Sequence, residues 1–290
     1  MRNSMKTIDV LDSFLAYREA GSGGPTVVLL HGNPTSSHIW RNVLPLIAEH
    51  ARVLAPDLIG MGQSGKPALQ YTFDDHAHYL DAWFDALGLD QVVLVGHDWG
   101  GALALDRAAR RPEQVRGIVL LETFLRPLSW SDYPPPAVEL FQALRTPGVG
   151  ERMAIDDNWF IESALHATNP GISDEDLAVY RAPYADPASR LPLLQWGRSH
   201  PVDGEPADVY ARVLAYDRWL ADSPEVPKLL LTAEPGTLVS PAIVDWARAN
   251  VASLDVQSIG AAGHHAPEDQ PAAIASAISG WLVSSAATRR

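Results

Sequence analysis

Cysteine is absent from all 290 residues. Its absence excludes disulfides, thiolate metal sites and a cysteine nucleophile together, so any covalent chemistry must rest on another residue. Positive charge is scarce: 22 Lys plus Arg stand against 35 Asp plus Glu, and the net charge of -13 repels phosphate backbones and anionic lipid surfaces. Nucleic acid and membranes are therefore not expected as partners. No apolar run is long enough to cross a bilayer, and the opening MRNSMKTIDVLDSFLAYREAG has no uninterrupted apolar core of the signal-peptide kind. The expectation is a cytoplasmic chain, monomeric or a small homo-oligomer. Repeats and low-complexity tracts are also missing. With 47% hydrophobic and 20% charged residues, the composition is that of a folded globular protein, either one large α/β unit or a core with an insertion.

Four short runs rich in Val, Ile and Leu read as buried parallel strands: 26 to 30 (TVVLL), 92 to 96 (VVLVG), 117 to 121 (GIVLL) and 228 to 232 (KLLLT). A last strand is expected at 255 to 259. Between strands lie helical patterns, as from Asp74 to Leu87, where Tyr79, Leu80, Trp83, Phe84 and Leu87 share a face and Asp75, Asp81 and Asp85 point away. This alternation predicts an α/β fold with a mostly parallel, doubly wound sheet. It stops after Glu122 and resumes near Pro227, across a stretch rich in Pro, Trp and Tyr. Residues 125 to 213 are therefore read as an inserted helical cap on a discontinuous core, 1 to 124 and 214 to 290. The tail SSAATRR is expected to fray.

The run VVLVGHDWGGALAL sets Asp98 between a hydrophobic strand and a helix opening with Gly100 and Gly101. That is the strand, tight turn, helix context of the G-x-S-x-G nucleophile elbow, with Asp in place of Ser. A competing reading makes Asp98 a helix N-cap. The stretch LLHGNPTSSHIW follows the first buried strand, where this fold draws one oxyanion-hole N–H, the other coming from the residue after the nucleophile, Trp99. Asn33 and Trp99 are thus expected neighbours, offering an amide and an indole N–H suited to an anion that forms and is later released. Singly, Asn33 reads equally well as a turn residue before Pro34, and Trp99 as core packing. The stretch SIGAAGHHAPEDQP supplies a histidine last in chain order, as the triad order of this fold requires, but as a doublet, His264 and His265. For the acid that orients it, Glu122 closes the strand 117 to 121, and Glu234 in LLLTAEPGTL is the rival.

These stretches, with APDLIGMGQSGKP, LETFLRP, ELFQALR, DDNWFIE and YRAPY, resemble the haloalkane dehalogenase family of the α/β-hydrolase fold, in its branch with an Asp, His, Glu triad. The likeness spans nearly the whole chain. It implies Asp98 as nucleophile, Glu122 as acid, and Asn33 with Trp99 as halide ligands through their side chains and as oxyanion hole through their backbone. Counting back from Glu268, Asp269 and Pro271, it selects His264 as the base. The implied reaction forms an alkyl ester on Asp98 that water activated by His264 hydrolyses, with no metal or organic cofactor. The partners it implies are a small apolar halogenated substrate and a halide ion. Trp40, Phe124, Trp130, Phe141, Phe160, Leu165, Trp196 and Leu238 are candidates for an apolar pocket.

Three other readings compete. An epoxide hydrolase shares the ester logic but needs an acid for the ring oxygen, for which Tyr133, Tyr180, Tyr184 and Tyr216 are available. A coelenterazine-type luciferase resembles the same branch. A hydrolase-fold binding protein without turnover would have little use for a complete nucleophile, base and acid.

Overall fold

The computed structural model describes residues 5–287. Among these residues eight strands form one sheet: β1 (Met5–Val10), β2 (Ser13–Ala20), β3 (Thr26–Leu30), β4 (Arg52–Pro56), β5 (Val92–His97), β6 (Val115–Leu121), β7 (Lys228–Pro235) and β8 (Leu254–Ala262). Their order is β1-β2-β4-β3-β5-β6-β7-β8. β1 and β2 are antiparallel to their neighbours, and every pair from β4 to β8 is parallel.

The central strands read as continuous apolar runs because both faces are covered. Val28, Leu30 and Leu94 pack into one core layer, while Val27, Leu29, Val93 and Val95 pack into the other. The helix Phe73–Ala86 follows the predicted face, with Tyr79, Leu80, Trp83 and Phe84 buried. Thr72 starts it, exchanging hydrogen bonds with Asp75 in a capping box.

Between β6 and β7 the described chain carries helices and isolated bridges but no strand. These include Pro135–Arg145, Asp174–Arg181, Leu191–Arg198 and Ala207–Asp222. The last packs against the helix Trp99–Arg110 and runs unbroken past position 213. Of the tail expected to fray, Ser284 falls within the final helix, Pro271–Ala287, and Thr288 to Arg290 lie outside the described residues. Among those residues no helix is long and apolar enough to cross a membrane.

Candidate active site

β5 ends at His97, and the chain turns sharply at Asp98, whose φ of 54° and ψ of -128° fall in a region costly for a non-glycine residue. Asp98 occupies the N-cap position of the helix Trp99–Arg110, yet its side chain makes no capping hydrogen bond. The capping reading therefore fails. The carboxylate is directed instead to the loop after β3, where Oδ1 accepts the Asn33 backbone N–H at 2.7 Å. Gly32 makes this approach possible, because a Cβ there would lie 2.1 Å from Asp98 Oδ1. Thr123 secures the turn from the other side, donating its hydroxyl to the Asp98 carbonyl at 2.6 Å.

His264 follows β8, in the loop before the short helix Ala266–Asp269. Its Nδ1 lies 3.3 Å from Glu122 Oε2 and its Nε2 lies 3.5 Å from Asp98 Oδ2. Buried His97 steadies this loop by donating Nε2–H to the His264 carbonyl at 2.7 Å. Glu122 stands one residue past β6 with a positive φ of 45°. Its two oxygens accept the backbone N–H groups of Leu238 at 3.0 Å and Val239 at 3.3 Å.

Burial penalises charge on all three groups, but their mutual attraction prevails. For Asp98, the hydrogen bond and charge of His264, with the Trp99 backbone N–H, overcome burial and hold the carboxyl below its usual range. Glu122 is lowered in the same way, through His264 and the two backbone donors. His264, drawn down by burial but flanked by both carboxylates, is pushed up to about 10. At neutral pH the resting arrangement is thus an imidazolium between two anions.

Replacing Glu122 with Gln is expected to lower the His264 pKa, since one of the two flanking charges is lost. It should also cost about 1–3 kcal/mol of stability at neutral pH, because a single amide oxygen cannot accept both the Leu238 and Val239 N–H groups at their present positions. The folded Glu122 pKa is depressed, so its contribution is present above the ordinary carboxylate pKa and is lost as pH falls through the lowered one. For His264 the sign is opposite: its contribution is complete below the ordinary imidazole pKa and is lost as pH rises towards about 10. NMR titration of the imidazole with thermal unfolding checks both, and an unmoved His264 titration would contradict this account of the raised pKa.

The histidine doublet divides cleanly. His265 turns towards the segment between β6 and β7, with Nδ1 3.1 Å from Thr168 Oγ1, and its burial drives its pKa well down. Glu234, the rival acid, is exposed on β7.

Asn33 and Trp99 both border Asp98, the first through its backbone N–H and the second as the next residue in the chain. The Asn33 side-chain Nδ2 donates to Leu193 O at 3.3 Å, which leaves its second amide hydrogen free, while its Oδ1 is buried without a partner among the described residues. Trp99 is buried among four rings, stacking on Trp196 at 4.6 Å and meeting Phe124 at 4.7 Å, with Phe73 and His200 edge-on.

The candidate pocket residues fall into groups. Phe124 and Trp196 touch Trp99, and Phe141 stacks at 3.7 Å on His200, which in turn meets Trp99. Leu165 and Phe160 are buried in the same core layer, with Phe160 against Gly197. Leu238 packs at the edge of that layer, and its backbone holds Glu122. Trp130 lies under the Arg145 guanidinium, 5.2 Å from its ring centre, and meets Tyr133 rather than Trp99. Trp40 corrects the expectation: it is packed in the opposite core layer with Ile39, Val43 and Ile47, edge-on to His97, because the turn Ser37–Trp40 docks beneath the sheet. Sequence reasoning missed His97 and His200. The position of His200, four residues beyond Trp196 at a helix end, is the one signal that pointed to it.

Residues 25–159 match the alpha/beta hydrolase fold family. The haloalkane dehalogenase of Mesorhizobium japonicum is 48% identical, over 95% of this chain and 90% of that protein. The one of Bradyrhizobium diazoefficiens is 44% identical, over 97% and 94%. Among solved structures, haloalkane dehalogenase DbeA from Bradyrhizobium elkani superposes with a TM-score of 0.95 at 47% identity, covering 98% of this chain and 99% of that one. Haloalkane dehalogenase DatA from Agrobacterium tumefaciens gives 0.92 at 38% identity, covering 97% of each. With an Asp-bearing elbow, a histidine between two carboxylates and relatives of this similarity over nearly its full length, the chain belongs to the haloalkane dehalogenase family.

Proposed function

We propose that the protein hydrolyses haloalkanes to an alcohol, a halide ion and a proton through an alkyl ester on Asp98. The observation that carries this reading is the division of labour between the two Asp98 oxygens. Oδ1 accepts the Asn33 N–H, and the Trp99 N–H also favours the ionised carboxylate, so Oδ1 is the oxygen that stays behind as the ester carbonyl. Oδ2, on the His264 side, forms the new bond to carbon as the carbon-halogen bond breaks. The nucleophile is already ionised, so no base is needed for this step. Charge moves from carboxylate to halide, and the Asn33 amide and Trp99 indole are donors whose attraction grows as that charge appears.

Ester formation removes the Asp98 charge, and with it one of the two influences that raise the His264 pKa. His264 then sheds its proton and, held by Glu122, takes one from a water molecule attacking the ester carbonyl. The backbone N–H groups of Asn33 and Trp99 face the resulting oxyanion. The segment 125 to 213 acts as a cap that excludes water from an apolar pocket. The setting proposed is cytoplasmic, the substrate small and halogenated, without nucleic acid or membrane partners, and the protein a monomer or small homo-oligomer.

Two of the four tyrosines, Tyr180 and Tyr216, already donate their hydroxyl protons within the protein, which favours this reading over epoxide opening. Tyr180 donates to Glu268 at 2.6 Å, Tyr216 to the Phe124 carbonyl at 2.9 Å and Tyr133 pairs with His200, while Tyr184, its ring beside Lys66, has a buried hydroxyl without a partner among the described residues. Bromide and proton release from 1-bromobutane, with 1,2-epoxybutane as control, tests the proposal. Bromide and acid in equal amounts, with the epoxide untouched, is the expected result. Hydrolysis of the epoxide alone, or of neither, would overturn it.

A further inference from the structure

The rings around Trp99 are Phe73, Phe124, Trp196 and His200, and only the last carries an N–H donor besides an indole. His200 follows the helix Leu191–Arg198 and is 7% exposed. Its ring lies on Phe141 and meets Phe124 and Trp99 edge-on at 5.0 and 5.5 Å. Arg145 fixes its backbone by donating to the His200 carbonyl.

The tautomer follows from Tyr133, whose hydroxyl is 3.1 Å from His200 Nδ1. The phenol has one proton and no other acceptor among the described residues; donated to Nδ1, that proton leaves the imidazole N–H on Nε2, the tautomer on which the proposal below is built. Nε2 forms no hydrogen bond within the described residues. Unlike the orphaned ring nitrogens of His76 and His265, it is not sealed in the core. Burial drives the His200 pKa down to about 3, against the attraction of Asp98, so the ring is a neutral donor at working pH and does not compete for the nucleophile as a cation.

We propose that His200, oriented by Tyr133, is a specificity-determining residue whose Nε2–H recognises haloalkanes bearing a second hydrogen-bond acceptor, an ether or hydroxyl oxygen or a second halogen. The inference rests on the dehalogenase reading above. An N–H in an aromatic wall loses its water when an alkyl chain packs against that wall and gains nothing in exchange; an acceptor on the substrate restores the bond. Selection of this kind is strong because it penalises the substrate that lacks the acceptor.

The test compares kcat/KM for two isosteric pairs, 1-bromo-2-methoxyethane with 1-bromobutane and 1-bromo-3-methoxypropane with 1-bromopentane. Intrinsic reactivity differs within each pair but cancels when the ether-to-alkane ratio is compared between variants. In His200→Leu the ratio for the better ether is expected to fall about tenfold. His200→Gln, which keeps an N–H donor, should recover part of it. Tyr133→Phe, a smaller change, should lower the ratio in the same direction by releasing the tautomer. Ratios unchanged in both His200→Leu and Tyr133→Phe, with all rates moving together, would reduce His200 to packing and overturn the proposal. Absence of bromide release by the unaltered protein from all four substrates would overturn the dehalogenase reading and this inference with it.

Discussion

Asp98→Ala is expected to reduce bromide release from 1-bromobutane by on the order of 10⁴-fold or more while the protein stays folded. Among the described residues the carboxylate is the only anion that meets both the Asn33 N–H, at 2.7 Å, and the His264 ring, at 3.5 Å. No neighbour takes over its role, because Glu122 is committed to the Leu238 and Val239 N–H groups and to the far side of His264. The fold is expected to persist because removing one of two anions beside a histidine lowers the histidine's pKa instead of stranding a charge. His264 in the variant should therefore titrate below about 10. Bromide assays beside thermal unfolding and imidazole NMR separate loss of chemistry from loss of structure. Activity within tenfold of the parent in a folded Asp98→Ala protein would remove Asp98 as nucleophile.

Much of this site could be read in the sequence because its parts sit where strands end. β3, β5, β6 and β7 are buried on both faces, so they stand out as apolar runs, and the polar residue that ends or follows such a run is carried to the edge of the sheet. Asp98 and Glu122 were visible in this way. β1 and β2 were not foreseen, since they form the antiparallel edge, where Lys6, Thr7 and Phe14 are exposed and the apolar pattern is diluted. β4, RVLAP, opens on a charge and closes on a proline, so its apolar run is only Val53 to Ala55, too short to separate from a turn by pattern alone. Within the His264 and His265 doublet the residue types leave both open, and only the family resemblance selects His264. Adjacent residues in a loop point to different partners, and here one meets Glu122 and Asp98 while the other meets Thr168. Trp40 shows the converse failure, since a large aromatic near a catalytic loop is as well suited to the layer under the sheet as to a pocket above it.

His264→Phe should split the reaction at its midpoint. Displacement needs an ionised Asp98 and the halide donors, none of which is removed, so one bromide per enzyme is expected in a burst. Hydrolysis of the ester needs a base, so turnover should then stall, and intact-protein mass should rise by one butyl group in place of a proton. Proton release gives an independent sign. In the parent, the two carboxylates raise the His264 pKa, so the ring is expected to rest as an imidazolium and to lose its proton once the ester forms, and acid should accompany or follow closely the bromide burst. In His264→Phe the burst consumes a carboxylate and an alkyl bromide and yields an ester and bromide, with no proton to release. Bromide without acid, together with the trapped mass, would assign both steps. His265→Phe should turn over continuously, because His265 faces Thr168 and not the ester. Sustained turnover by His264→Phe, or a stalled ester in His265→Phe, would transfer the base to the other member of the doublet.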